Sequence, residues 1–163
     1  MHETLLVAFA TMFATVGPLD VGVVFATLTA GQSARERLGT ALRGLAIAAL
    51  ILMTFAIFGD AALDLFGISL PALRIAGGIL LLLIAIDMVF ARPSGATTTT
   101  EDEAREARSR PDISVFPLAT PLLAGPGAMG AVVLLMADTD GDWEKGAGVV
   151  VAVFAVLGVA FAA

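Results

Sequence analysis

Cysteine and tyrosine are absent from the 163-residue chain, and lysine, histidine and tryptophan occur once each, as Lys145, His2 and Trp143. Without a thiol there is no disulfide, no thiol chemistry and no cysteine metal site. The single histidine sits in a polar lead, so no serine–histidine–acid set is available and no role attaches to His2. Charged residues make up only 15% of the chain, and none of them forms a Walker-type glycine loop before a lysine or a paired-acid catalytic signature. Nine basic residues interleaved with acids are too few to track nucleic acid. An enzyme or a nucleic-acid binder would have little to work with here, and no cofactor or metal is expected.

What the chain has in abundance is apolar surface, with 58% hydrophobic residues and a mean hydropathy of +0.95. One soluble domain cannot cover that much, so the expected class is an all-α membrane protein. Five apolar segments stand out: Leu5 to Leu28, Gly44 to Gly59, Leu70 to Ala91, Ile113 to Ala137, and Ala147 to the end. About 18 apolar residues suffice to cross a hydrocarbon core as a helix. The second segment reaches that length from Thr40 if Arg43 snorkels. A β-barrel would alternate every two residues, whereas these runs are apolar all round. The N-terminus lacks a basic region and a small-residue cleavage site, so the first segment is expected to stay in the bilayer.

Loop charges give an orientation. The loops after segments one and three carry seven arginines (Arg35, Arg37, Arg43, Arg92, Arg105, Arg108, Arg110), against Arg74 and Lys145 on the other side. The positive-inside rule then places the N-terminus outside a plasma or inner membrane. The net charge of −6 fits either a salt-adapted surface or simply acidic loops. Within the polar stretch 92–112, Thr97 to Thr100 reads as a linker and Glu101 to Arg108 as a solvated helical turn.

Segment one is interrupted by Gly17-Pro18-Leu19-Asp20-Val21-Gly22, and segment four by Gly125-Pro126-Gly127-Ala128-Met129-Gly130, the same spacing 108 residues later. Proline removes a donor and clashes one turn back, so a lipid-facing helix keeps it only where the freed groups find partners. An odd number of spans between the motifs makes the halves inverted: repeat one over 4–91, a linker over 92–112, and repeat two over 113–163. Paired broken helices at matched positions point to a transporter's binding site. The offset asks for a partner to segment three, and segment five stops on Phe161-Ala162-Ala163 without a polar exit. The second repeat is therefore expected to be truncated, five helices standing for six in an intact protein of about 200 residues.

Three stretches carry a resemblance: Gly17-Pro18-Leu19-Asp20 with Phe25-Ala26-Thr27-Leu28-Thr29, then Phe66-Gly67-Ile68-Ser69-Leu70-Pro71-Ala72-Leu73-Arg74-Ile75-Ala76-Gly77-Gly78, and Pro117-Leu118-Ala119-Thr120-Pro121-Leu122-Leu123-Ala124-Gly125-Pro126-Gly127. They resemble the MarC family of integral membrane proteins over all but the linker. The resemblance implies six spans in two inverted three-helix halves, akin to amino-acid exporters, and a neutral amino acid as the class of solute. The usual first motif of that family begins Asn-Pro, where this chain has Gly17, and Asp20 stands where glycine is more usual.

The candidate solute-binding residues are Gly17, Pro18, Asp20, Gly22, Pro121, Gly125, Pro126 and Gly130. If the two breaks meet at mid-membrane, a zwitterion finds N–H groups for its carboxylate and carbonyls for its ammonium. The bland alternative is that glycine and proline merely permit kinks and close packing. Asp20, well inside a span, is either a proton-coupling or ammonium-binding carboxylate or a protonated packing residue. Arg74 is a gate or carboxylate anchor, or a snorkelling side chain like Asp87. Gly77-Gly78 admits a neighbouring helix. Asp138-Thr139-Asp140-Gly141-Asp142 opens like a calcium loop, but Trp143 replaces the required glycine and Val149 the closing glutamate. The expectation is thus a carrier for a small zwitterionic solute, with a proton or sodium as any coupling ion and lipid as its surroundings. Oligomeric state is left open, a homo-oligomer included. A non-transporting membrane scaffold is the alternative, and a membrane-embedded enzyme lacks any evident catalytic group.

Overall fold

The structure, a computed structural model, describes residues 2–90 and 112–163, so the linker readings over 92–111 lie outside the described residues. Among these residues all regular structure is helical: α1 (His2–Val16), α2 (Pro18–Leu28), α3 (Ala34–Leu65), α4 (Leu70–Val89), an irregular α5 (Ser114–Leu123), α6 (Pro126–Ala137) and α7 (Trp143–Ala162). Each of the five apolar segments is mainly helical over its described residues. Three stretches, His2–Leu28, Ala34–Leu65 and Trp143–Ala162, are long and apolar enough to cross a membrane; the bent pair α5–α6 raises the number to four. In α4 the shorter part Leu70–Leu83 meets the apolar criterion.

Two boundaries differ from expectation. The second segment is a helix of 32 residues, because Ser33 and Glu36 form a capping box that starts it ten residues before Arg43 opens the apolar run. Glu36 Oε2 accepts from the Ser33 N–H at 2.8 Å and from its hydroxyl at 2.7 Å. The fourth segment is not one helix: α5 and α6 meet at a 55° bend. Phe116 and Thr120, each preceding a proline, take extended φ/ψ, as the clash with the proline ring dictates. The hydrogen bonds of α5 accordingly stretch to five residues, from Leu118 N–H to the Ile113 carbonyl and from Ala124 N–H to the Ala119 carbonyl.

The buried face of α3 is Gly44, Ala48, Leu52, Ala56 and Gly59. Glycine is required at both ends of this stripe. A Cβ on Gly44 would lie 2.4 Å from Leu118 Cδ2, and one on Gly59 would lie 2.6 Å from Val133 Cγ2. Close backbone approach of this kind substitutes for the hydrophobic drive that lipid does not provide. These contacts also order the fold. The start of α3 faces α5 and its end faces α6, so α3 and the α5–α6 pair run in the same direction. The α1–α2 span ends at the short turn before α3, and Gly22 and Phe25 of α2 line one cavity with Leu118 and Leu123 of α5, while Arg43, three turns into α3, meets Asp112 just ahead of α5 at 3.3 Å. The two interrupted spans therefore run antiparallel. The opposite end is tied by an ion pair between Arg74 at the start of α4 and Asp138 at the end of α6.

α7 is the central helix. Val149, Val153 and Val156 are fully buried and join Met12 of α1, Leu52 of α3 and Val132 of α6 in one apolar core. Among its described side chains α4 contributes no fully buried residue to that core, and Ile75, Ile79, Leu82 and Leu83 are exposed along it. Buried hydroxyls close on local carbonyls: Thr29 on Phe25 at 2.7 Å and Thr139 on Met136 at 2.7 Å.

Gly44→Leu and Gly59→Leu should each lower the melting temperature of the detergent-solubilised protein, on the scale of the roughly 1–3 kcal/mol typical of overpacking. Gly39→Ala, with nothing within 4 Å of its added carbon, should be neutral or stabilising by up to about 1 kcal/mol. Three indistinguishable melting curves would contradict the close approach. A second expectation concerns acid. Hydrogen bonds from Ser114 and, after them, the Arg43 charge hold the Asp112 carboxyl below its ordinary 3.8. Its contribution is present above that value and lost as pH falls through the lower folded one. Because the pair is exposed, Asp112→Asn should flatten the acid-side fall in melting temperature by well under about 1 kcal/mol, as read by melting curves across pH.

Candidate functional site

At both breaks glycine is the residue before the helix and proline is the first residue inside it. Proline is tolerated there because that N–H has no intrahelical partner anyway. The following first-turn N–H groups likewise find no acceptor in their own helix, and neither glycine supplies a capping side chain. Each interrupted span thus presents the positive end of a half-helix inside an apolar segment.

The two breaks are built differently. Gly17 has φ 58° and ψ 56°, the left-handed region, and its N–H still reaches the Phe13 carbonyl at 3.1 Å. That hydrogen bond keeps α1 and α2 on one course as a 27-residue span. Gly125 is extended, with φ −79° and ψ 169°, and the chain turns sharply. The left-handed backbone also explains a glycine at this position, since glycine, with asparagine next, tolerates positive φ best. Pro18 is buried while Pro126 is exposed, and Ala128, the counterpart of exposed Asp20, is buried.

The expected residues do not gather in one cavity. Gly17, Pro18 and Asp20 line a shallow pocket with Phe13, Ala14 and Leu19. Gly22 opens onto a second cavity, with Leu118 and Leu123 of α5. Gly130 lines a third, between α3, α4 and α6. The reason is packing: Val16 and Val21 beside the first break, and Ala124 and Ala128 beside the second, belong to one continuous apolar core. Gly125 is buried within it, and Pro121 is half-buried above it. Asp20 has no hydrogen-bond or ion-pair partner among the described residues. Its Oδ2 lies 3.4 Å from where a Gly17 Cβ would stand. Arg74 is committed to Asp138, both half-exposed, which takes it away from the pocket of the first break.

Sequence reading missed several partners. Asp138 as the acid for Arg74, and Asp112 for Arg43, lie 64 and 69 residues away, and no local pattern announces them. The acids of the would-be calcium loop are used locally as well: Asp142 caps α7 through the N–H groups of Glu144 and Lys145. The buried stripe of α3 is visible in principle, as Gly44, Ala48, Ala56 and Gly59 around Leu52 at steps of four and three.

Gly17→Asn should leave melting temperature nearly unchanged, whereas Gly17→Val should cost about 1–2 kcal/mol from the left-handed backbone alone. Equal loss in both variants would remove positive φ as the reason for glycine.

Comparison with known proteins agrees with this architecture. The model of the MarC family integral membrane proteins matches residues 2–163. The chain is 40% identical to the UPF0056 membrane protein MJ1677 of Methanocaldococcus jannaschii, over 96% of this chain and 75% of that one. It is 35% identical to the UPF0056 membrane protein YvbG of Bacillus subtilis, over 99% and 76%. With the UPF0056 membrane protein YhcE of Escherichia coli it shares 40% identity over 77% and 58%. No solved structure matches. Apolar helices with a glycine–proline break in two antiparallel spans, and a family match over nearly the whole length, make this chain a member of the MarC family of multi-pass integral membrane proteins.

Proposed function

We propose that this protein is a carrier for a small zwitterionic solute such as a neutral amino acid, with the two halves of the molecule acting as inverted repeats. The observation that carries the reading is the pair of glycine–proline breaks in antiparallel spans. Each break offers half-helix N–H groups to a carboxylate, and the carbonyls that end α1 and α5 suit an ammonium. Asp20, exposed beside the first break and unpartnered among the described residues, is the group suited to take up a proton or to hold a sodium ion or the substrate's ammonium. In this reading the arginine-bearing end of α3 faces the cytoplasm, the N-terminus lies outside, and the membrane is the plasma or inner membrane.

A scaffold reading has its own support. The core between the breaks is packed with apolar side chains, Val16, Val21, Ala124 and Ala128 belonging to one cluster. A carrier must open that packing during its cycle, and a scaffold never does.

Liposomes holding the purified protein separate the two. Labelled neutral amino acids should exchange at a rate that depends on pH. Asp20→Asn should abolish that dependence while leaving the melting temperature unchanged. No flux of any neutral amino acid through a well-folded protein would favour the scaffold, and an unchanged pH profile in Asp20→Asn would remove Asp20 from the mechanism.

A further inference from the structure

The start of α3 carries a groove that the two breaks do not use. It is open, about 490 Å³ in volume and lined mainly by polar groups, among them Arg35, Glu36, Gly39, Thr40 and Arg43 of α3 and Asp112 ahead of α5. Arg35, Gly39 and Arg43 follow one another at steps of four residues, so they share one side of the helix, with the glycine as a notch between two guanidinium groups. Nothing stands within 4 Å of a carbon added to Gly39. The helix N-terminus is already closed by the Ser33–Glu36 capping box, so the free chemistry of the groove lies in its side chains. Arg35 and the Thr40 hydroxyl have no partner among the described residues, and Arg43 engages Asp112 through Nη1 alone. Glu36 gives Oε2 to Ser33 and keeps Oε1 free.

These free donors and the free acceptor describe a ligand. Guanidinium groups above and below a notch suit the oxygens of a phosphate, which they grip through paired N–H bonds, with the threonine hydroxyl as a further donor. The lining also holds a carboxylate for each guanidinium, Glu36 and Asp112 against Arg35 and Arg43. A lining balanced in this way favours a ligand that carries both signs over a simple anion. Depth selects the source of that ligand. Gly39 lies five residues, about 7.5 Å of helix, before the apolar run opens at Gly44, and a headgroup layer is roughly 5–8 Å thick on each side of the hydrocarbon. The notch therefore stands at the level of the lipid phosphates. We propose that the groove holds a lipid headgroup bearing a phosphodiester and a primary ammonium, the phosphate on Arg35, Thr40 and Arg43 and the ammonium on Glu36. The site stands apart from the two breaks and does not depend on the carrier reading.

Lipid titration of the full chain in detergent, with occupancy read by native mass spectrometry, tests the site. Three probes share their acyl chains: phosphatidylethanolamine, phosphatidylcholine, whose methylated nitrogen donates no hydrogen bond, and phosphatidylglycerol, which has the phosphate without the cation. Phosphatidylethanolamine should bind tightest. Arg35→Gln should weaken it roughly fivefold, the worth of one arginine at a headgroup surface. Gly39→Leu, which fills the notch and leaves every charge in place, should weaken it as well. Glu36→Gln keeps the capping box and should erase the preference for phosphatidylethanolamine over phosphatidylcholine. Arg37→Gln, on the other side of α3 over the Phe25 ring, should leave binding unchanged. The proposal is overturned if Arg35→Gln or Gly39→Leu binds phosphatidylethanolamine like the native chain. It is overturned as well if phosphatidylglycerol binds tightest and gains from Glu36→Gln, which would make this end of α3 a general anionic-lipid surface. Equal binding of glycerophosphoethanolamine, which has the same head without acyl chains, would remove the lipid as the source.

Discussion

Hydrocarbon offers no hydrogen bonds, so each peptide group left unpaired inside a bilayer costs several kcal/mol. Everything unusual in this structure answers to that constraint. Helices dominate because they satisfy their own backbone. Where the chain departs from the helix, at Gly17 and through Phe116 to Gly125, the departing residues are screened by neighbours or re-paired across longer reaches. The Gly17 N–H returns to Phe13, and α5 closes bonds of five residues around its prolines.

The second determinant is steric. Lipid removes the advantage of burying one apolar side chain against another, and close backbone approach takes its place. Gly44 and Gly59 bring α3 against α5 and α6 at two heights, which sets the parallel course of those elements. From that course follows the antiparallel relation of the two broken spans. Exposed ion pairs at the two ends, Arg43 with Asp112 and Arg74 with Asp138, add tethering and little stability.

Much of this was legible in the residues, and the limits have physical causes. Apolar run length located all five helical segments, and proline after glycine located both interruptions, because these signals are local. The extension of α3 back to Ala34 was missed, although the Ser33 and Glu36 capping box lies in plain view. Polarity there says loop, and the capping chemistry, which says helix, prevails. The collapse of α5 into irregular turns needed two prolines, Pro117 and Pro121, to be weighed against an otherwise ideal apolar stretch. The distribution of the site residues over separate cavities was not legible at all. Spacing along the chain reports which residues match, and only packing around Val16, Val21, Ala124 and Ala128 reports what lies between them.

The length of α3 has its own effect on how the molecule sits in a bilayer. At 1.5 Å per residue, 32 residues extend about 48 Å, against a hydrocarbon thickness of roughly 30 Å. Tilt alone would have to reach roughly 50° to hide that excess, beyond the 0–40° found for membrane helices. The turns outside the apolar run, Ala34 to Arg43 at one end and Asp60 to Leu65 at the other, therefore reach into the headgroup layers, the longer of them a stiff arm continuous with the glycine contacts below. A small rocking of α3 about Gly44 and Gly59 would swing Arg37 through a wider arc among the phosphates, so lipid charge and bilayer thickness both gain mechanical purchase on the buried interface.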